Sequence, residues 1–426
     1  MTSRPADFGI YSRGALALAV LLPLAALSVR GGSTLVFYSL VALSLAAAVD
    51  IRLRGSGGTG LRVAAPVACA LALPLASTLL TAWSVAALPG SELEKSLRFL
   101  LAALLFVPLS MARPEWLRHM QWGLLAGSCS GSIVILCGVW SGQGRDLTDL
   151  GANYNAVTLA NLTMLLGTAG LLTTPWTLTA RPRIERGLKI AVFVLALCAV
   201  HLSETRSSWM LLPVLALVFV CGARLPLRTR IAMAAACAAL LAALAVLLYF
   251  SNPRFALIAQ ETLLFLDGRL RDTSVGLRLQ LWHASLEMFL QNPWLGIGPD
   301  NFRPALQALA REGVLTTYAA TNFGEPHNDF LAALACNGVV GLLAILGLYG
   351  LPAWWFSRRI RNADRTVRVA ARIGLLLCLG YAAFSLTEMM FRAMRSVPLY
   401  SVSMVLLASL ARNAGTRARK DATVPA

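Results

Sequence analysis

Long apolar runs recur along almost the whole chain, and few folds can accommodate them. They fall at roughly 14–30, 34–50, 63–83, 97–112, 120–140, 154–173, 188–203, 207–222, 230–250, 327–356, 370–387 and 396–411. About 20 apolar residues cross a bilayer as a helix, and only helices or closed barrels satisfy their backbone inside hydrocarbon. With 57% hydrophobic and 13% charged residues, the chain has too little polar surface for a soluble domain of 426 residues. The pattern predicts an all-α polytopic membrane protein with about 12 transmembrane helices. Helices 1–9 occupy 1–250, a large loop 251–326, helices 10–12 residues 327–411, and a basic tail 412–426.

Charge sets the sidedness. With a cytoplasmic N-terminus and strict alternation, 24 of the 37 Lys and Arg residues fall inside. The inner segments then carry +18 and the outer ones −1. This follows the positive-inside rule and predicts both termini in the cytoplasm. It also accounts for the net charge of +17 without a nucleic-acid partner. Arg4 and Arg13 ahead of the first run imitate a signal peptide, but no small-residue cleavage site follows, so an uncleaved first span is expected. All eight cysteines lie in or at the edge of apolar runs and none forms a CxxC, which argues against disulfides and zinc.

The outer face concentrates the polar chemistry. Its longest segment, about 75 residues, exceeds an ordinary connection and points to function. Within it, GLRLQLWHASLEMFLQ places leucines and aromatics at 277, 281, 282, 286, 289 and 290, an amphipathic helical spacing. NPWLGIGPDNF then breaks the helix. Arg278 opens this helix, where a guanidinium fork and free backbone N–H groups suit a phosphate or pyrophosphate; snorkelling to lipid headgroups is the plainer alternative. Arg206 sits in the tight turn HLSETRSSW between two apolar runs, either as a functional cation or as a surface pair with Glu204. His201, one turn earlier, reads as a packed polar residue.

His327 follows Glu325-Pro326 and precedes Asn328 and Asp329, so it falls near the outer end of the tenth span. Histidine can take a proton from a sugar hydroxyl near neutral pH; capping or packing is the alternative role. Asn328 and Asp329 suit capping or orientation. Glu388, Arg392 and Arg395 in the last outer loop form either part of an anion site or a solvated loop. Asp146, Asp149, Asn153 and Asn155 form another polar loop able to hold sugar hydroxyls. No P-loop, GxGxxG, HExxH or GxSxG is present, and no outer Asp-x-Asp pair suggests a metal-bound nucleotide sugar.

The composite GLR…W…F…NPWLGIGPDNF with PHNDFL…NGVVGL, residues 276–342, resembles the O-antigen ligase / O-antigen polymerase superfamily of bacterial envelope enzymes. The resemblance implies a periplasmic large loop in an inner-membrane protein. The implied activity moves a glycan from an undecaprenyl-pyrophosphate carrier to an acceptor hydroxyl without cofactor, metal or ATP. It further implies functional roles for Arg206, Arg278 and His327, with Glu388 as the acidic position of the last loop. Arg395, read from its place in that loop, is expected as a further contact to the donor pyrophosphate. Tyr154 stands where relatives carry proline in an Asn-Pro-Asn element, which weakens the case for Asn155. Size and the single dominant loop resemble the ligase, whose acceptor is lipid A–core. The polymerase and protein oligosaccharyltransferases are the near alternatives. A twelve-span transporter or flippase is remoter, since paired halves and charges at the bilayer midplane are missing. A non-catalytic assembly component is the other reading.

Overall fold

A computed structural model describes residues 9–53, 63–87, 89–141, 155–251 and 253–423. Asp146, Asp149, Asn153 and Tyr154 lie outside these residues. The described chain is helical, with no strand. In order the helices are α1 (Gly9–Ser28), α2 (Gly32–Leu53), α3 (Ala65–Val85), α4 (Gly90–Ala102), α5 (Phe106–Ser110), α6 (Pro114–Leu117), α7 (Met120–Trp140), α8 (Ala156–Leu172) and α9 (Pro182–Leu202). They continue as α10 (Leu211–Gly222), α11 (Leu227–Ser251), α12 (Pro253–Leu266), α13 (Ser274–Gln291), α14 (Phe302–Arg311), α15 (Thr317–Asn322), α16 (Asp329–Ser357), α17 (Arg365–Phe384) and α18 (Ser396–Thr423).

Each of the twelve apolar runs is helical over most of its length. Among the described residues, eight helices are long and apolar enough to cross a membrane. The other four runs are short (α8, and Ser207–Gly222), interrupted (α4 to α5), or charged at one end (α9). The expected large loop is itself mostly helix, from α12 to α15.

Burial ranks the helices by position. Almost every residue of α8 is buried, so it lies at the centre of the bundle. In α11 only Leu248 is buried. A 25-residue apolar helix so exposed needs hydrocarbon around it. Helices α1, α7 and α8 approach closely because α7 carries Gly123, Gly127 and Gly131, four residues apart on one face. A Cβ on Gly123 would lie 2.3 Å from the Val20 carbonyl oxygen, and one on Gly131 2.2 Å from Thr163 Oγ1. Small residues at this spacing are a general route to tight helix packing in membranes.

Lys189, in the first half of α9, is fully buried. Its ammonium donates to Glu185 Oε1 at 2.9 Å, Gln121 Oε1 at 2.8 Å and the Trp176 carbonyl at 2.6 Å. Glu185 in turn accepts from the Leu178 and Thr179 N–H groups, both at 2.9 Å. The cluster ties α7, α9 and the segment between α8 and α9 together at the opposite end of α9 from Arg206. A buried ion pair survives because both charges are fully partnered; removing one strands the other. Lys189→Ala should therefore cost about 3–5 kcal/mol. Thermal unfolding of the solubilised protein would read this as a clear drop in Tm, and an unchanged Tm would show the cluster to be dispensable.

Helix α16 is broken at Gly338, whose backbone sits at φ 64° and ψ −155°. Asp329 and Tyr349 both bond Ser385, at 2.7 and 2.8 Å. Along a straight helix those two positions would be about 30 Å apart, so the helix folds back on itself at Gly338. A break of this kind frees backbone groups on both sides, and NPWLGIG supplies their partners. Ile297 N donates to Ala335 O (3.0 Å) and Gly298 N to Cys336 O (2.9 Å). Val339 N donates to Pro293 O (2.8 Å) and Val340 N to Trp294 O (3.3 Å). The two segments touch main chain to main chain: a Cβ on Gly338 would lie 2.3 Å from the Trp294 carbonyl carbon. Gly338→Ala meets both this clash and a backbone region almost closed to other residues, about 1–3 kcal/mol from strain alone. A lowered Tm is the expected outcome; a wild-type Tm would mean that the fold-back relaxes freely.

Candidate active site

The residues that fold into the site come from five places in the chain. Arg206 follows a reversal after α9 in which Glu204 takes a left-handed φ of 54°. The Arg206 guanidinium turns away from Glu204. It donates through Nη1 to the Arg254 carbonyl at 3.0 Å and through Nη2 to Ser274 Oγ at 3.1 Å. Arg278 lies one turn into α13, which Thr273 caps by accepting from Gly276 N at 3.0 Å. Its Nη1 donates to the same Ser274 Oγ, at 3.2 Å. One hydroxyl, with two lone pairs, therefore gathers two guanidinium groups.

Two like charges held this close are costly without an anion between them. Burial pushes both arginines below their usual pKa, and the neighbouring cations add to it: Arg278 and Arg254 act on Arg206, and Arg254 on Arg278. Glu388 is the main group opposing the shift at Arg278. Arginine starts so far above neutrality that both remain charged. The Nε of Arg278 is buried with no hydrogen-bond partner, a donor left for a ligand.

His327 stands at φ 51°, an uncommon region for a residue other than glycine. Neighbouring bonds hold it there. Trp282 Nε1 donates to the Pro326 carbonyl at 3.0 Å. Asn328 caps α16, accepting from Phe330 N (2.9 Å) and Leu331 N (3.1 Å), and donates to the Leu386 carbonyl (3.0 Å). Buried Asp329 accepts from Ser385 Oγ at 2.7 Å and Met390 N at 2.9 Å. The expected capping and orienting positions thus strap the histidine segment to the last loop.

That strap sets Glu388 beside the histidine. His327 Nδ1 lies 3.3 Å from Glu388 Oε1 and 3.8 Å from Glu325 Oε1. A carboxylate in its ionised form can only accept, so in a neutral ring that bonds one through Nδ1 the lone pair is on Nε2. The side chain of Asn155, which caps α8, also donates to Glu388 Oε1, at 3.3 Å. The departure from proline at Tyr154 therefore does not remove Asn155 from the site. Glu325 forms an ion pair with Arg392. Burial nonetheless pushes the Glu325 carboxyl above its usual pKa, against the pull of Arg392 and His327. Arg395 lines a cavity of about 510 Å³ together with Glu388, Asn155 and Arg392.

The structure thus brings Arg206, Arg278, His327, Glu388 and Asn155 into one neighbourhood, with Arg278 and Glu388 as the electrostatic link. His283 falls outside it, 3.4 Å from Glu287 on the exposed side of α13. His201 packs edge-on against Trp209, as its sequence position suggested. Ser274, Arg254 and Glu325 were not anticipated. Ser274 had a signal, lying in the TSVGLR segment at the head of α13. Asn161 had none: buried in α8, it accepts from Ser207 Oγ (2.9 Å) and Ser208 Oγ (2.7 Å) and so fixes the turn that carries Arg206.

Glu325, His327 and Glu388 hold their ligand atoms within 4.8 Å of one another, a spacing a small divalent cation could span. The Arg392 pair on Glu325 and the charge of Arg278 beside Glu388 both oppose a cation there. The anion-favouring groups are the two guanidiniums gathered on Ser274.

Residues 191–346 match a family model described as O-antigen ligase. An uncharacterized protein of Haemophilus influenzae is 23% identical over 155 residues, 36% of this chain and 38% of that protein. The chain thus spans well under half the length of the relative it matches. The matched segment contains Arg206, Arg278, His327 and the Gly338 break, while Glu388 and Asn155 lie outside it. The matched segment is thus similar to the O-antigen ligase family, and the many long apolar helices suit a multi-pass membrane protein.

Proposed function

We propose that the protein is an O-antigen ligase. In this reading it transfers glycan from undecaprenyl pyrophosphate to a sugar hydroxyl of lipid A–core, at the periplasmic face of the inner membrane. All twelve apolar segments cross the bilayer, with both termini in the cytoplasm, as the charge distribution favours. The observation that carries the reading is the pairing of Arg206 and Arg278 on Ser274 next to the His327–Glu388 contact.

The chemistry follows from the geometry. Arg206 and Arg278 bind the pyrophosphate and stabilise the negative charge that grows on it as the glycosidic bond breaks. His327 Nε2 accepts the proton of the acceptor hydroxyl as its oxygen bonds to the anomeric carbon. Glu388, holding Nδ1–H, fixes the ring and stabilises the imidazolium that results. The electron pair of the broken C–O bond leaves on undecaprenyl pyrophosphate. A single displacement inverts the anomeric configuration. Two guanidinium groups and an already good leaving group supply what a metal or ATP would otherwise provide.

The direct test mixes purified protein with undecaprenyl-pyrophosphate-linked O-antigen and lipid A–core, without ATP or metal. Glycosylated lipid A–core is the expected product. Longer carrier-linked chains instead would make the protein a polymerase, and transfer to a protein acceptor would make it an oligosaccharyltransferase. No product with active controls would shift the reading to a transporter or an assembly component.

A further inference from the structure

A second cavity, of about 320 Å³, lies in the crook of the folded α16. Its walls are the two arms of that helix, α3 and α4, closed above by Glu325, Pro326 and Arg392. None of Arg206, Arg254, Ser274 and Arg278 lines it. The bonds that hold Arg206 and Arg278 come from α12, α13 and the turn before α10, so the arginine pair and this cavity share no lining residue.

Its lining is mixed. Ser77, Thr78, Ser96 and Asn337 contribute uncharged polar groups, Ala333 and Leu348 apolar surface, and Glu92, Lys95 and Asp329 charged groups that are already paired, Glu92 with Lys95 and Asp329 with Ser385 and Met390 N. Thr78 and Ser96 bond each other at 2.7 Å, and Asn337 Nδ2 donates to Thr81 Oγ1 at 2.9 Å. Ser44, Ser132, Ser285 and Ser401 in other helices bond the carbonyl four residues back, at 2.7–2.8 Å. Ser77 does not, and of the three buried helical serines left without a partner among the described residues (Ser77, Ser396 and Ser409) it is the one that lines this cavity. Ser77 is 4% exposed, and its hydroxyl has no partner. A buried hydroxyl left unbonded is costly, and a ligand in the adjoining space would relieve it.

We propose that this cavity holds the saccharide of the acceptor, a hydroxyl-rich sugar on a membrane-anchored carrier, with Ser77 as a specificity contact. The proposal rests on the glycosyltransferase reading above. In an inverting displacement the attacking and leaving oxygens lie on opposite faces of the anomeric carbon, so acceptor and pyrophosphate must reach the centre from different sides. The cavity provides that second approach: Pro326 lines its upper wall, and His327 is the next residue. Uncharged hydroxyl and amide groups suit sugar hydroxyls, and the Ala333 and Leu348 surface suits the apolar faces of sugar rings.

The test measures equilibrium binding of lipid A–core and, separately, of undecaprenyl pyrophosphate to the full-length protein in nanodiscs. Ala333→Leu, which fills the crook, should weaken lipid A–core about tenfold and leave the pyrophosphate lipid within twofold. Ser77→Ala, which removes only an oxygen, should weaken lipid A–core about three- to tenfold. Unchanged lipid A–core affinity in Ser77→Ala and a folded Ala333→Leu would overturn the subsite, as would equal losses for both lipids. Because binding is read without turnover, failure of the subsite is distinct from failure of the transferase reading, which the wild-type transfer assay decides.

Discussion

His327→Ala, inserted and folded like the parent protein, is expected to lose about 10²- to 10⁴-fold in kcat for transfer to lipid A–core, the usual contribution of a positioned general base. Donor affinity should hardly change, because the proposed pyrophosphate contacts are those of Arg206 and Arg278. The separation of the two effects is the useful part. A histidine that merely capped α16 would act through stability, but Asn328 already makes that cap. Full activity in His327→Ala would remove the base from the mechanism. A matching fall in Tm and activity would reassign His327 to structure.

Arg206→Ala and Arg278→Ala should each lower kcat by about 10²- to 10³-fold, the range found when one donor to a developing anion is removed. The double variant should fall short of the product of the two, because both groups act on one anion and share Ser274. Lysine should rescue Arg278 poorly: its compact ammonium cannot reproduce a fork that reaches Ser274 and still offers Nε inward. Steady-state rates over a range of donor concentrations separate binding from turnover. Wild-type rates in both single variants would show that the anion binds elsewhere, and the cavity lined by Arg392 and Arg395 would be the next place to look.

Much of this was legible in the sequence because hydrocarbon filters residue choice so strongly. Long apolar runs marked the helices. Arg206, Arg278 and His327 stood out because polar groups are rare in such a chain, and they do gather in one place. What stayed hidden depends on three-dimensional detail. Lys189 looks like any basic residue at the end of a span, and only tertiary packing reveals four partners around it. The fold-back of α16 hides inside a largely apolar run from Ala332 onward, where the dipeptide Asn337-Gly338 is the local sign of a break. Ser274 and Asn161 bond residues dozens of positions away, a relation no local pattern carries.

The four hydrogen bonds that close the Gly338 break run only between main-chain atoms. The join between Pro293–Gly298 and Ala335–Val340 thus depends on the spacing of the two segments and on Gly296, Gly298 and Gly338, all at positive φ, and hardly at all on the remaining side chains. Drift at Trp294, Leu295 or Ile297 leaves the join in register, whereas one inserted residue shifts every bond at once. The arm that carries Asn328 and follows His327 is anchored at its far end by this join. Evolution can therefore rewrite the letters of this stretch more freely than it can change their number.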